Sequence, residues 1–403
     1  MLINHLPNST VVEKCLCLLK LENFRDPYLD HGAKKLLSGK AILLFVEAFL
    51  HQRGSLWDLE ENLKAKDNLQ ELTELEGIHS STLYRKLEKL PTSFLQDIAV
   101  KLFSRIDGHY TQKVSTMEAG RLSVIDSTEI SLPKKAGEWA YSSKTKNGVK
   151  IHLKLAVLDE KTYYPEDAIL STTGVADKEV SIDLVVDRDA TYVMDRGYIN
   201  YSHFHNWMER KINFVVRVNG NSRTQLLTEH SVPSNSRIVR DAEVEIHDIK
   251  NDRKFPLRLV EFLDEKDNKF RILTTRRNLS AEQVAEIYRM RWKIELYFKW
   301  MKQHLKLVKL YNHKPAAVWN QLWLAMIAYA ISELIKIETG TKRSTWQVLK
   351  LLRFYWHDSW DRFIQALNRK PTKPSKGRRK KGKPGRPRKY PKKMKTVQII
   401  HVN

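Results

Sequence analysis

The 403-residue chain carries 70 Lys and Arg against 47 Asp and Glu, a formal net charge of +23, with an ordinary hydrophobic share of 42 %. That is enough apolar sequence for two or three domains with a substantial core, and the charge points to a polyanionic partner, nucleic acid before membrane. Two cysteines, Cys15 and Cys17, with no His pair in zinc spacing, exclude a disulfide framework or a structural zinc and fit a reducing cytosol.

No basic leader followed by an apolar run and a small-residue cleavage site opens the chain, so a cytoplasmic, nucleoid-associated location is expected. The two most apolar runs do not read as membrane spans. Ala41 to Leu50 is too short, and Ala316 to Ile335 is interrupted by Asn320, Gln321 and Glu333.

Residues 1 to 115 read as all-helical, with periodic apolar runs at Val11 to Leu21, Lys40 to His51, Leu56 to Leu63 and Phe94 to Ile106. Within them, short helices over Gly54 to Leu63 and Asn68 to Gly77 precede a helix over His79 to Leu90, capped by Ser80 or Ser81 and stopped before Pro91. This is either a helix-turn-helix whose last helix offers Tyr84, Arg85, Lys86 and Lys89 to a DNA groove, or a plain helical bundle with a solvated charged face.

From Arg121 the texture changes to strands. RLSVIDSTEISLP, GVKIHLKLAVLD and TYYPEDAILS are three consecutive β-runs, and a short helix over Asp177 to Val186 leads to TYVMDRGY, a fourth. Helix Tyr201 to Arg210 and strand Ile212 to Val218 follow. Three strands, then helix, strand, helix, strand, is the order of a ribonuclease H-like α/β fold. Residues 219–278 add three more β-like runs, RIVRDAEVEI, FPLRLVEFL and FRILTTR, which read as a β-rich insertion. His203 and His205 are spaced as strand ligands but fall on the predicted helix, where their side chains diverge.

Ala281 to Leu310 holds no Pro or Gly and reads as one helix. On a straight helix Tyr288, Arg291 and Lys302 share one narrow stripe with Glu295, beside an apolar arc. The run AAVWNQLWLAMIAYAISELIK after it is apolar almost all round and is expected to be buried against the sheet. A further helix over Trp346 to Leu367 closes the fold at about residue 368.

Lys370 to Lys395 holds 14 Lys and Arg and no Asp or Glu, leaving +9 on the rest of the chain. With Pro and Gly at short intervals, residues 369–403 read as a disordered basic tail. Its Gly385-Arg386-Pro387-Arg388-Lys389 is similar to a minor-groove AT-hook, with Pro384 where an Arg is expected before the Gly; a non-specific polybasic segment is the plainer reading.

Asp126 in VIDST and Asp195 in VMDRG sit on strands, where a buried carboxylate is costly unless paired or on a metal. Each alone could be a turn or cap residue. With Glu295 they make three hard oxygen donors, a set suited to two Mg²⁺ ions, with Mn²⁺ as a substitute. Two such ions activate an attacking water or 3′-hydroxyl and stabilise the leaving oxygen of an in-line displacement. No GxxxxGK[ST] is present to suggest an ATP site. Around the second strand Lys144, Lys146, Lys150, His152 and Lys154 either line a DNA path or form a solvated strand edge.

The pattern Tyr288-x2-Arg291-x3-Glu295-x6-Lys302, with DSTEISLP at Asp126 and DRGY at 195–198, resembles the insertion-sequence-four family of DDE transposases, across roughly residues 120 to 340. The resemblance implies Asp126, Asp195 and Glu295 as the catalytic and metal-binding trio, with Tyr288, Arg291, Lys302 and Arg196 facing DNA. It also implies a helical DNA-binding domain over 1–115 and a ribonuclease H-like catalytic domain over 120–368 with a β-strand insertion. Such an enzyme nicks transposon ends and joins their 3′-hydroxyls to target DNA, as a homo-oligomer, a dimer by expectation. One departure is that residues 219–287 contain no Trp, the residue on which some relatives stack a flipped base, which puts hairpin-type cleavage in doubt. A silent DNA-binding descendant and a nuclease without strand transfer are the alternatives.

Overall fold

Helical periodicity near the N-terminus becomes, among the described residues, six helices: α1 (Val11–Cys17), α2 (Ser38–Leu50), α3 (Leu56–Lys64), α4 (Asp67–Thr73), α5 (Ser80–Lys89) and α6 (Thr92–Tyr110). Capping boxes start two of them, Thr10 with Glu13 at α1 and Ser55 with Asp58 at α3. The cap of α5 is His79, whose ring accepts the Ser81 N–H, and not Ser80 or Ser81 as expected. The Ser80 N–H is taken by the Glu60 carboxylate at 2.7 Å, which ties α5 to α3. The computed structural model describes residues 9–21, 24–110, 119–220, 222, 224–305, 307 and 309–369. The basic tail, with Arg386 and Arg388, lies outside them.

Ten strands follow in one mixed sheet, interleaved with helices: β1 (Arg121–Leu132), β2 (Tyr141–Ser143), β3 (Lys146–Val157), β4 (Tyr163–Thr172), α7 (Asp177–Leu184), β5 (Ala190–Met194), α8 (Tyr201–Glu209), β6 (Asn213–Arg217), β7 (Gln225–Glu229), β8 (Ile238–Asp248), β9 (Arg253–Leu263) and β10 (Lys269–Thr274). Their order is β2-β3-β1-β5-β6-β10-β9-β8-β7, with β4 on β3. β1 is antiparallel to β3 and parallel to β5, and β5 is parallel to β6. That arrangement is compatible with the expected ribonuclease H-like core. All five residues of β5 are buried, as a central parallel strand covered on both faces requires.

The three β-like runs read between residues 219 and 278 form strands β8, β9 and β10 and continue the central sheet. Leu273 of β10 pairs with Val216 of β6, so β10, β9, β8 and β7 extend the same sheet. Strands β2 and β7 were not expected, being a three-residue edge and a fully exposed ribbon with no apolar face to betray them.

The 281–310 stretch departs from the single helix expected of it. It forms α9 (Ala281–Met290) and α10 (Trp292–His304), broken at Arg291. The ladder tightens there to three-residue spacing, Arg291 N–H to Tyr288 O at 3.1 Å and Ile294 N–H to Arg291 O at 3.2 Å. With no Pro or Gly, the break follows from a side chain held from outside the helix: the Arg291 guanidinium is bound to β1 (2.7 Å to Asp126).

Three helices complete the unit: α11 (Pro315–Glu338), α12 (Thr345–Tyr355) and α13 (Trp360–Asn368), the last two replacing the single expected helix. α11 is long and apolar enough to cross a membrane but is buried in the core. It packs chiefly on α2, α5, α6 and α12, not on the sheet as expected. Its polar residues are satisfied from that side: Asn320 donates to Leu87 O and Leu90 O at 2.8 Å and accepts from the Thr92 hydroxyl, closing the α5–α6 corner. Glu333 accepts from Tyr110 and Thr345. Residues up to Leu367 form one compact unit.

Candidate active site

The parallel register of β1 and β5 ends at Ile125 opposite Met194. Asp126 and Asp195 therefore follow side by side, one on the continuing strand and one where β5 gives way to a 3-10 turn at Arg196–Tyr198. Carboxyl ends of parallel strands are where such folds place ligands. Asp195 caps the turn, its Oδ1 accepting the Gly197 N–H at 2.7 Å. A Cβ at Gly197 would stand 3.0 Å from that oxygen and 3.3 Å from Oδ2 of Asp177, so the close approach of two carboxylates leaves little room for a side chain.

Glu295 comes from the first turn of α10. Arg291 links it to the strands, one guanidinium nitrogen donating to Asp126 Oδ2 at 2.7 Å and the other to Glu295 Oε1 at 2.6 Å. Asp126 also accepts the Ser127 N–H at 2.8 Å. Burial nevertheless raises its carboxyl to about 6, against the pull of Arg291, with Asp195 and Glu295 adding to the rise. For Arg291 burial works the other way, but Tyr288, Asp126 and Glu295 outweigh it and hold the guanidinium above its ordinary value.

Behind the trio lies a fourth acid that sequence reasoning missed. Asp177, first residue of α7, accepts from Ser127 Oγ at 2.9 Å and Lys150 Nζ at 3.1 Å, and lies 3.5 Å from His152 Nδ1. His152 Nε2 in turn meets Ser171 Oγ at 2.8 Å. One carboxylate thus joins the strand of Asp126, the strand beside it and, through Gly197, the turn of Asp195. In the sequence an Asp at a helix start is indistinguishable from ordinary dipole complementation. Burial lowers His152 to about 4, keeping it neutral near pH 7.

Several residues expected to face DNA are placed otherwise. Lys150 is buried and held by Asp177, because β3 is an interior strand between β1 and β4 and not a solvated edge. Lys86 is buried in an ion pair with Asp30 at 2.6 Å, on the inner face of α5. Tyr288 is 5 % exposed, packed between Phe270 and the Arg291 guanidinium, whose carbon lies 6.0 Å from its ring centroid. Lys302 is half-buried and donates to the Glu129 carbonyl of β1 at 3.1 Å. Tyr84, Arg85, Lys89 and Arg196 are exposed. His203 contacts Ser181, and His205 lies near Glu209 and Arg253, so the two do not converge.

The donor set suits a hard divalent cation: three carboxylates, one raised by burial and by the other two. Among the described residues no three His, Cys, Asp or Glu side chains stand close enough to hold a metal as they are. Arg291 supplies the positive charge between Asp126 and Glu295, and Asp195 is turned back on its own loop.

Residues 118–331, just over half the chain and spanning all three carboxylates, match the model of the transposase DDE domain. A Sinorhizobium fredii protein named as transposase y4zB is 29 % identical over 259 residues, 63 % of this chain and 70 % of its own length. A Geobacillus stearothermophilus protein named as the transposase of insertion sequence element IS5377 is 25 % identical over 288 residues, 70 % of this chain and 73 % of its own. A Synechocystis protein named for insertion sequence element IS4SA is 45 % identical over 65 residues, 16 % of this chain and 19 % of its own. The chain belongs to the DDE-domain transposases, enzymes that cut and join DNA and generally depend on divalent metal ions.

Proposed function

We propose that the chain is an insertion-sequence transposase of the insertion-sequence-four type, in which Asp126, Asp195 and Glu295 hold two Mg²⁺ ions for cleavage of the element's ends and joining of their 3′-hydroxyls to target DNA. The observation that carries this reading is the approach of the three acids, near enough for Asp195 and Glu295 to add to the rise of the Asp126 carboxyl. β1 and β5 set Asp126 beside Asp195, and Arg291, 165 residues from Asp126 along the chain, ties Glu295 to it. Bound metal would lower the pKa of the attacking water or hydroxyl and stabilise the leaving oxygen. The chain's own part is to hold the acids at the ends of rigid strands, with Ser127, Lys150 and Asp177 fixing their backbone from behind.

Arg291 occupies the carboxylate oxygens that a cation would take, so loading requires the guanidinium to give way, leaving its charge for a phosphate oxygen. Arg196, next to Asp195 in the chain, and Lys302, two turns beyond Glu295 on α10, are proposed as further cations that meet the DNA. Arg85 with Lys89 on α5, and Arg386 with Arg388 in the tail, are proposed to meet duplex DNA farther out, the terminal repeats being the substrate and a homodimer bridging the two ends. A cytoplasmic, nucleoid-associated location goes with that role, and fractionation of cells would test it.

Asp126→Ala, Asp195→Ala and Glu295→Ala should each abolish Mg²⁺-dependent cleavage of end DNA while duplex binding is kept. Full activity in any one of them removes that residue from the trio.

A further inference from the structure

A cavity of about 540 Å³ opens beside the Asp195 turn, lined by Arg196, Arg217, Arg240, Glu261, Lys269 and Arg271. Arg196 immediately follows Asp195, β6 ends with Arg217, and the others come from β8, β9 and β10. Glu261, a buried carboxylate, holds Lys269 and Arg271 at 2.7 Å each. Arg271 is further fixed by the carbonyls of Asn219 and Gly220 at 3.2 and 2.5 Å. Arg240 is bound in bidentate fashion by Glu229 at 2.9 Å. Three of the five cations are thus held by two carboxylates, and among the described residues neither Arg196 nor Arg217 is paired with an acid. Arg217 lies over the Phe270 ring, its guanidinium carbon 4.3 Å from the centroid, and Phe270 is stacked in turn on Phe262 at 5.3 Å.

Concentrating like charge in one hollow costs energy unless an anion answers it. A guanidinium held against an aromatic face keeps its fork of N–H donors presented and loses little freedom on binding a phosphate. The cavity is also placed where a strand leaving the trio would run, because Arg196 lines it from the residue next to Asp195. We propose that this cavity is a phosphate site for the DNA strand next to the cut, with Arg217 and Arg196 as the gripping groups and Glu261 ordering Lys269 and Arg271 around them. This deepens the reading given under Proposed function and rests on it.

The test uses the full chain and a fluorescein-labelled DNA duplex, with affinity followed by anisotropy between about 50 and 200 mM KCl. Arg217→Glu should weaken binding by about tenfold or more and make the slope of log affinity against log salt shallower by about one, the loss of one phosphate contact. Arg217→Ala should do less of the same, and Arg217→Lys, which keeps the charge and loses the stacked fork, should keep the parent's salt slope while binding more weakly than the parent. A lowered melting temperature in the Glu variant does not blur the result, since the Ala and Lys variants differ in charge at the same stacked position. Parent-like affinity and slope in Arg217→Glu overturn the site. A parent chain with no salt-dependent DNA binding overturns the wider reading instead. Sodium phosphate that raises the melting temperature of the parent and not of Arg217→Glu, with DNA binding equal in both, would make the cavity a free-phosphate site and refute its role on DNA.

Discussion

Arg291 is the residue on which the site's state turns. Its guanidinium is 17 % exposed and satisfies Asp126 and Glu295 at once, so without metal it acts as the counter-ion of the acids. Removing one member of a buried ion pair leaves charge uncompensated, at about 3 to 5 kcal/mol when fully buried. Partial exposure of Asp126 and Glu295 reduces this to about 2 kcal/mol. Arg291→Ala should therefore lower the melting temperature by several degrees in chelator, and millimolar Mn²⁺ should restore most of the loss, because the freed carboxylates gain a cation. Calorimetric titration should show Mn²⁺ bound more tightly than by the parent. A variant that melts like the parent in chelator would mean that the guanidinium is surface decoration. Sequence spacing had paired Arg291 with Glu295 along a helix; it held no sign of Asp126 as the second partner, 165 residues away.

Among elements, the adjoining strands β1 and β3 carry two groups whose titrations oppose each other. Asp126 binds its proton more tightly folded, at about 6 against an ordinary 3.8, so its contribution is present at low pH and is lost as pH rises from about 4 to 6. His152 binds its proton less tightly folded, at about 4 against 6.5, so its contribution is present above about 6.5 and is lost as pH falls toward 4. In the parent the two partly cancel. Asp126→Asn should expose the histidine term, giving a melting temperature that climbs more steeply than the parent's from pH 4 to 6.5. His152→Gln should expose the carboxylate term, with a difference from the parent that grows more negative as pH rises over the same interval. Parallel curves for all three proteins would remove both assignments. The break between α9 and α10 belongs to the same scale: helical periodicity carries no record of a side chain anchored to another element.

For the whole molecule, charge is distributed between a folded unit and a tail of very different composition. Residues 370–395 hold 14 cations with no acid among them, against +9 for everything else. Each cation that meets a phosphate releases a counter-ion, so deleting residues 370–403 should make the salt dependence of duplex binding markedly shallower. Cleavage of a bound end should persist, because the trio and its supports lie within the unit that closes at Leu367. An unchanged slope would show that the tail does not touch DNA. α11 makes the complementary point at this scale: hydropathy marks it as buried, yet what buries it is chiefly helices drawn from both ends of the chain.

By itself the sequence determined the locations of most helices and strands, the motifs that hold Asp126, Asp195 and Glu295, and the net positive charge of the chain. These rest on local periodicity, on composition and on motifs whose members lie within about a dozen residues of each other, all readable along one dimension. The tertiary structure alone decided that β10 joins β6, so that the β-rich stretch lengthens the central sheet. It also decided that Lys150, Lys86 and Tyr288 turn inward, that Asp177 stands behind the trio, and that Arg217 meets Arg196 across a cavity. Strand neighbours and ion-pair partners are set by which surfaces exclude water together, and a residue's own stretch of chain does not encode who will stand on the other side.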